Sequence, residues 1–342
     1  MRAIELNAYG AARDVLEIAR AAPPTLPEPN EVLIAVKAAS VNPVDCAIRN
    51  GYGKEVFRSK GQVGSGEFPI RLGRDAAGII EAVGSAVHVF RPGDRVFAAP
   101  TGAAMAEFIT VDAAEVALAP ASLDFVAAAS IPFVAMTAWN ALVNQSGLSA
   151  STTRGKRVVI ARGAGGVGSF AIQLMKAWGA WVATTCSTGN IDFVRELGAD
   201  VAVDYRRQRV AEELHGYDAV LNGSFDLEQD LLATLKTDSN ASYVTITSPK
   251  VRLADEFGLE EGFRRADAML AGFQEAQRRL GRRYCWGFMK PDGAALGEVA
   301  ALIAAGKIRP IVDRVYPAAE IVAAHEYCES GRARGKIVID FN

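Results

Sequence analysis

Arg157-Val-Val-Ile-Ala-Arg-Gly-Ala-Gly-Gly-Val-Gly168 is the stretch on which the fold turns. Arg157 to Ala161 reads as a buried strand, and Val167 to Trp178 as a helix with Phe170, Ile172, Leu174 and Met175 among its apolar positions. Between them stands Gly163-x-Gly165-x-x-Gly168. A glycine pattern alone says little. One set directly between a strand and a helix predicts the phosphate turn of a dinucleotide-binding unit. Bare backbone can turn tightly there and approach pyrophosphate oxygens, which the free N–H groups and the dipole of the helix N-terminus stabilise. Gly163, Ala164, Gly165, Gly166, Val167 and Gly168 are therefore candidate cofactor-binding residues.

The same alternation continues downstream. Strands are predicted at Trp181 to Thr185, Val201 to Val203, Ala219 to Leu221 and Tyr243 to Thr247, with a helix at Asp192 to Leu197 closed by Gly198. Alternating β and α units imply an α/β, doubly wound parallel sheet with helices on both faces. Upstream the pattern differs. Val32 to Ala38, Ala77 to Val83, Arg95 to Ala98 and Ala106 to Val111 are short strands, separated by turn formers such as Gly84-Ser85 and Pro92-Gly93-Asp94. They suggest a partly open barrel or sandwich. The character changes near Ser122. The tail, with a helix at Leu296 to Ala304 and a strand at Lys336 to Asp340, leaves the βαβ rhythm and is expected to return to the first unit. The expected division is 1–122 completed by 289–342, with 123–288 between them.

Composition narrows the function classes. Of the 342 residues, 50% are hydrophobic and 22% charged, which argues against disorder. Thirty-seven basic residues against 39 acidic ones leave no basic excess for a dedicated nucleic-acid partner. Cys46, Cys186, Cys285 and Cys328 are far apart and fit a reducing compartment. Phe125 to Val143 approaches the length of a membrane span, but Pro132 and its many alanines favour a buried helix. MRAIELNAYG carries neither an apolar signal core nor an Arg/Ser-rich presequence, so a cytoplasmic location is expected. Lys250 to Arg283 reads as helical, with interleaved charges that predict a solvated face.

The second strand addresses which dinucleotide. NAD selection needs a carboxylate at its end to hold the adenosine 2′-hydroxyl. Here the strand runs out into Ser187-Thr188-Gly189-Asn190, and the first acid is Asp192, already in the next helix. NADPH is therefore expected over NADH, with the hydroxyls of Ser187 and Thr188 at the phosphate and Tyr205 beside the adenine. No Lys or Arg lies between Ser187 and Asp192. Thr137 is a candidate for the nicotinamide ribose or pyrophosphate. Asn222 and Thr247 follow later strands, whose carboxyl ends are where a ligand crosses such a sheet.

Several motifs together resemble the medium-chain dehydrogenase/reductase superfamily, in its zinc-independent quinone oxidoreductase branch. They include Asn42-Pro-Val-Asp45, Gly73-Arg-Asp-Ala-Ala-Gly78, Arg91-Pro-Gly-Asp-Arg-Val96, Gly163 to Gly168, Leu197-Gly-Ala-Asp200 and Gly306-Lys-Ile-Arg-Pro310. The resemblance implies a GroES-like β-barrel domain, formed by the N-terminal part and the tail, with a Rossmann domain inserted and the active site in the cleft. It also implies a homodimer, formed along an edge strand near Tyr284.

Zinc-dependent members use a Cys and a Gly-His-Glu motif as ligands. This chain has Gly73-Arg74-Asp75, and arginine ligates no metal. Cys46 has no histidine close in sequence, and His88, His215 and His325 are scattered. The expectation is no metal site. The chemistry expected without one is hydride delivery to an electron-poor acceptor: a quinone, an enone or an enoyl thioester. Tyr52, in Gly51-Tyr-Gly53, is the candidate hydrogen-bond or proton donor. Asn42 and Asp45 are expected to line the cleft and fix the loop, Arg74 to pair with Asp75 or Asp45, and Asp75 to be structural. The alternatives are an enoyl thioester reductase and a non-catalytic NADPH-binding regulatory protein.

Overall fold

A computed structural model describes residues 1–25, 27–59 and 68–341. In chain order the strands are β1 (Arg2–Leu6), β2 (Leu16–Arg20), β3 (Glu31–Val41), β4 (Ile70–Arg71), β5 (Ala76–Val83), β6 (Arg95–Ala98), β7 (Phe108–Asp112) and β8 (Val116–Leu118). There follow β9 (Arg157–Ile160), β10 (Trp181–Cys186), β11 (Val201–Asp204), β12 (Ala219–Asn222), β13 (Ala241–Thr245), β14 (Arg282–Trp286), β15 (Val312–Pro317) and β16 (Lys336–Asp340).

The central β-α-β region forms one parallel sheet in the order β11-β10-β9-β12-β13-β14. β9 is the pivot. The chain winds outward from it through β10 and β11, then returns to its other side for β12, β13 and β14. That reversal opens a crevice at the carboxyl ends of β9 and β12, where such sheets hold ligands. Val158, Val159 and Ile160 are fully buried, as helices on both faces of a parallel sheet demand.

The second sheet is antiparallel except for its β15–β16 pair and is built around the eleven-residue β3. β5 runs along one edge of β3; on the other edge β7 pairs Glu31 to Ala35, and β16 pairs Ala38 to Val41. The tail thus completes the N-terminal sheet, because β16 from the end of the chain fills the half-edge that β7 leaves open. Gly78 makes the β3–β5 crossing possible, since a Cβ there would lie 2.1 Å from the Ala35 carbonyl oxygen. A small third sheet, β2-β1-β4, completes the N-terminal part.

Two readings change in detail. The apolar stretch becomes two short helices, Phe125–Ala129 and Pro132–Trp139, followed by a wider turn over Asn140–Gln145. Pro132 starts the second helix, where a missing N–H costs nothing. The run is long and apolar enough to span a membrane, but most of it is buried between the two sheets. The charged stretch splits at Gly258, whose φ of 81° breaks it into Lys250–Phe257 and Leu259–Arg278. Arg282 and Arg283 are not on a solvated helix face. They lie on β14, and their guanidinium groups donate to the carbonyls of Leu232, Leu235 and Lys236, and of Gln145 and Ser146. The strand is held by Tyr284, stacked between Tyr243 and Phe273.

Candidate active site

The glycine turn closes β9 onto the Gly166–Ala177 helix. A Cβ on Gly163 would fall 2.1 Å from Thr184 Oγ1, and one on Gly168 would fall 2.3 Å from the Arg162 carbonyl. These two glycines let the turn press against β10 and the helix press against the strand. Gly165 caps the helix in an extended conformation with no side-chain cap, so the first-turn N–H groups are left to an anion. Arg162 takes the left-handed conformation, φ 58°, at the mouth of the crevice. Its exposed guanidinium is 3.4 Å from the Gly223 carbonyl across the switch point. Bare backbone, an uncapped helix and a nearby cation fit a dinucleotide pyrophosphate.

The opposite wall begins at Asn42, which caps the Pro43–Arg49 helix. Its N–H donates to Asp45 Oδ2 at 2.8 Å in a capping box, and Pro43 occupies the first helical position. Asp45 Oδ1 accepts from the Gly73 N–H at 3.1 Å, pinning the Gly73-Arg74-Asp75 segment to this helix. Burial raises the Asp45 pKa, against the Arg74 guanidinium and the N–H groups of Asn42 and Gly73, which lower it.

Asp75 is wholly buried and joins four elements. Its Oδ2 accepts from Ser40, from Asn42 Nδ2 at 2.9 Å and from Lys336 Nζ at 3.1 Å; its Oδ1 accepts from the Phe133 N–H at 2.6 Å. Lys336 is 4% exposed and also donates to Asn42 Oδ1. The lysine stem crosses the glycine turn, with Cδ 3.1 Å from the position of a Cβ on Gly166. Beside it the Gly335 N–H donates to the Ala164 carbonyl at 3.0 Å. One lysine side chain therefore ties the barrel wall, through its ammonium, to the phosphate turn, through its stem.

Tyr52 is half-buried at the end of this wall. Burial and the Asp255 carboxylate raise its pKa, opposed by Arg252 and Arg74, so the phenol stays protonated and able to donate. Asp255, from the Lys250–Phe257 helix, accepts from the N–H groups of Gly53 at 2.6 Å and Glu55 at 3.1 Å. The Tyr52 loop is thus held from the far side of the cleft.

The other sequence candidates are placed less simply. Thr137 is buried, and its hydroxyl donates back to the Phe133 carbonyl at 2.7 Å. Ser187 Oγ accepts from Asn190 Nδ2, and the Thr188 hydroxyl is spent on Asp204 rather than offered to a ligand. Tyr205 is exposed at the end of β11. Asn222 is fully buried with its amide shared between Tyr243 OH and the Ser224 N–H, so it braces the loop from inside. Thr247 lies 2.9 Å from Thr245 Oγ1. Cys46 does have a histidine beside it: Sγ is 3.5 Å from His325 Nδ1, brought by the Ile321–Glu329 helix. Among the described residues no group of three His, Cys, Asp or Glu stands close enough to hold a metal. Lys336 and Asp255 escaped the sequence reading, because nothing in their immediate neighbourhoods signals a cleft; Arg162 could have been found there, since it directly precedes Gly163 in the glycine turn.

A barrel completed by the tail, a doubly wound sheet and a phosphate turn facing a buried polar wall define a dinucleotide-dependent oxidoreductase. Family models agree: residues 28–183 match the alcohol dehydrogenase GroES-like domain, and residues 197–339 match the zinc-binding dehydrogenase family. The chain belongs to the medium-chain dehydrogenase/reductase superfamily and is an NAD(P)H oxidoreductase. It is similar to the mitochondrial NAD(P)H oxidoreductase RTN4IP1 of Danio rerio, at 41% identity over 99% of this chain and 91% of that one. It is also similar to the chloroplastic NADPH-dependent alkenal/one oxidoreductase of Arabidopsis thaliana, at 30% identity over 99% and 79%. The quinone oxidoreductase of Coxiella burnetii superposes with a TM-score of 0.81, at 29% identity over 100% and 99% of the two chains. The cytoplasmic location expected from the first residues is overturned, because the RTN4IP1 relatives are named mitochondrial proteins.

Proposed function

We propose that the chain is an NADPH-dependent reductase of quinones or α,β-unsaturated carbonyl compounds that works without a metal. The observation that carries this reading is the Asn42–Asp75–Lys336 cluster, a buried polar wall that reaches the glycine turn through the lysine stem. The names of the Arabidopsis and Coxiella relatives support the acceptor class.

NADPH, when bound, supplies the hydride. Gly163 to Gly168 hold its pyrophosphate, with Ser187 and Tyr205 toward the adenosine end. Asn42, Asp45 and Asp75 keep the cleft wall rigid, so that acceptor and coenzyme meet in one orientation. The Tyr52 hydroxyl donates to the oxygen on which negative charge develops, and Asp255 holds the loop that carries it. Arg74 stands where a zinc ligand would be needed, so charge stabilisation falls to hydrogen-bond donors. We assign residues 1–122 with 289–342 to the catalytic unit and 123–288 to the dinucleotide unit. We also propose a homodimer along β14, the edge of the parallel sheet.

The test is NADPH oxidation against panels of quinones, enones and enoyl thioesters. Turnover with quinones or enones is the expected result. Turnover confined to enoyl thioesters selects that narrower activity, and tight coenzyme binding with no oxidation by any acceptor selects a binding module.

A further inference from the structure

On the NADPH reading, an adenosine 2′-phosphate would lie at the turn that ends β10, and that turn has no cation of its own. Between Ser187 and Asp192 the chain offers only hydroxyls, an amide and an apolar side chain, and the Thr188 hydroxyl is already given to Asp204. The fold delivers a cation from elsewhere. Arg334, on the C-terminal tail, places its Nη2 2.8 Å from the Gly189 carbonyl, across a separation of 145 residues. Its guanidinium lies 6.0 Å from the centre of the Phe193 ring and is exposed to solvent.

The tail has little freedom to put this arginine elsewhere. The next residue, Gly335, donates to the Ala164 carbonyl at 3.0 Å and bridges Gly165 in parallel register. Gly335 has φ 81°, and a Cβ there would lie 2.4 Å from the Ile311 carbonyl, so only glycine lets the tail come so close. Lys336 is then locked into the buried cluster. Arg334 is therefore held between the turn that takes the pyrophosphate and the turn that flanks the adenosine 2′ position. The space above Gly189 is open, with no atom within 4 Å of where a Cβ would stand. Among the described residues its bond to Gly189 is the only hydrogen bond Arg334 makes, which leaves most of the guanidinium's donors available. The nearby acid, Asp204, is buried, with its oxygens engaged by Thr188 and the Arg206 N–H.

We infer that Arg334 reads the adenosine 2′-phosphate, so that the tail completing the barrel also sets coenzyme choice in the other domain. A planar guanidinium beside an open turn is suited to two parallel N–H···O bonds to a phosphate. The inference rests on the NADPH reading above, and the experiment separates the two.

Calorimetry on the full chain uses 2′,5′-ADP and 5′-AMP as probes, with Arg334→Ala, Arg334→Lys and, as a control, Arg332→Ala on the same exposed tail. The unaltered chain binds 2′,5′-ADP at least tenfold tighter than 5′-AMP. Arg334→Ala weakens 2′,5′-ADP about tenfold or more and leaves 5′-AMP within twofold, the size of a lost charge-assisted contact. Arg334→Lys retains part of the preference, and Arg332→Ala retains all of it. Retained 5′-AMP binding itself shows that the site is folded. Equal loss of both probes in Arg334→Ala marks a merely structural residue and overturns the inference, as does an unchanged preference. An unaltered chain that fails to distinguish the probes removes the NADPH reading itself, and the inference with it.

Discussion

Replacing Lys336 with methionine removes one ammonium and keeps most of the stem that packs on Gly166. The ion pair with Asp75 spans 3.1 Å, and both side chains are at most 5% exposed. At an effective dielectric near 20 the direct attraction is about 5 kcal/mol. The desolvation of both groups offsets much of it. Without the lysine, Asp75 keeps Ser40, Asn42 and the Phe133 N–H, so the stranded carboxylate is partly satisfied. The expected cost is therefore toward the low end of the range for breaking a buried pair, about 3 kcal/mol. For a chain of this size that lowers Tm by roughly 4 °C. Adding Asp75→Asn removes the unpaired charge, so Lys336→Met/Asp75→Asn is expected to be more stable than Lys336→Met alone. Thermal melts of the single and double variants read both numbers. A loss under 1 kcal/mol in Lys336→Met, or strictly additive losses in the double variant, refutes the coupling.

Tyr52→Phe is expected to lower kcat about a hundredfold while leaving NADPH affinity unchanged, as stopped-flow and binding titrations will report. Gly163→Ala forces a methyl toward Thr184 Oγ1 and is expected to abolish measurable dinucleotide binding. Thr184→Ala in the same chain opens that space and restores part of it. His325, buried beside Arg49, has its pKa pushed down to about 3, chiefly by burial. Its neutral form belongs to the folded state, so its contribution to stability is whole above pH 6.5. That contribution falls by about 1.4 kcal/mol per unit as the pH drops toward 3. His325→Gln should flatten the acid limb of a stability–pH curve, and an unaltered slope refutes this.

The parts of the site that the sequence announced are those built from local chemistry. The glycine turn needs only a strand before it and a helix after it, and the Asn42–Asp45 capping box spans four residues. Their types are fixed by backbone geometry close at hand. Lys336, Asp255 and Arg334 act 294, 202 and 145 residues from their partners, and no local pattern marks them. Side-chain type also misleads where a polar group has a neighbour to satisfy. Asn222 and Thr188 look like ligand groups, but the fold spends them on Tyr243, Ser224 and Asp204. The long charged stretch read as one solvated helix because nothing in its composition reveals that Tyr284 stacks between two rings and draws Arg282 and Arg283 into a strand.

The claim on which the mechanism depends is that the cleft reduces its acceptor by orientation and hydrogen-bond donors alone. Chelator-treated protein, analysed for bound zinc and then mixed with NADPH and a quinone, tests it most directly. Undiminished coenzyme oxidation in protein free of zinc is the predicted result. Turnover lost on chelation and restored by adding zinc contradicts it.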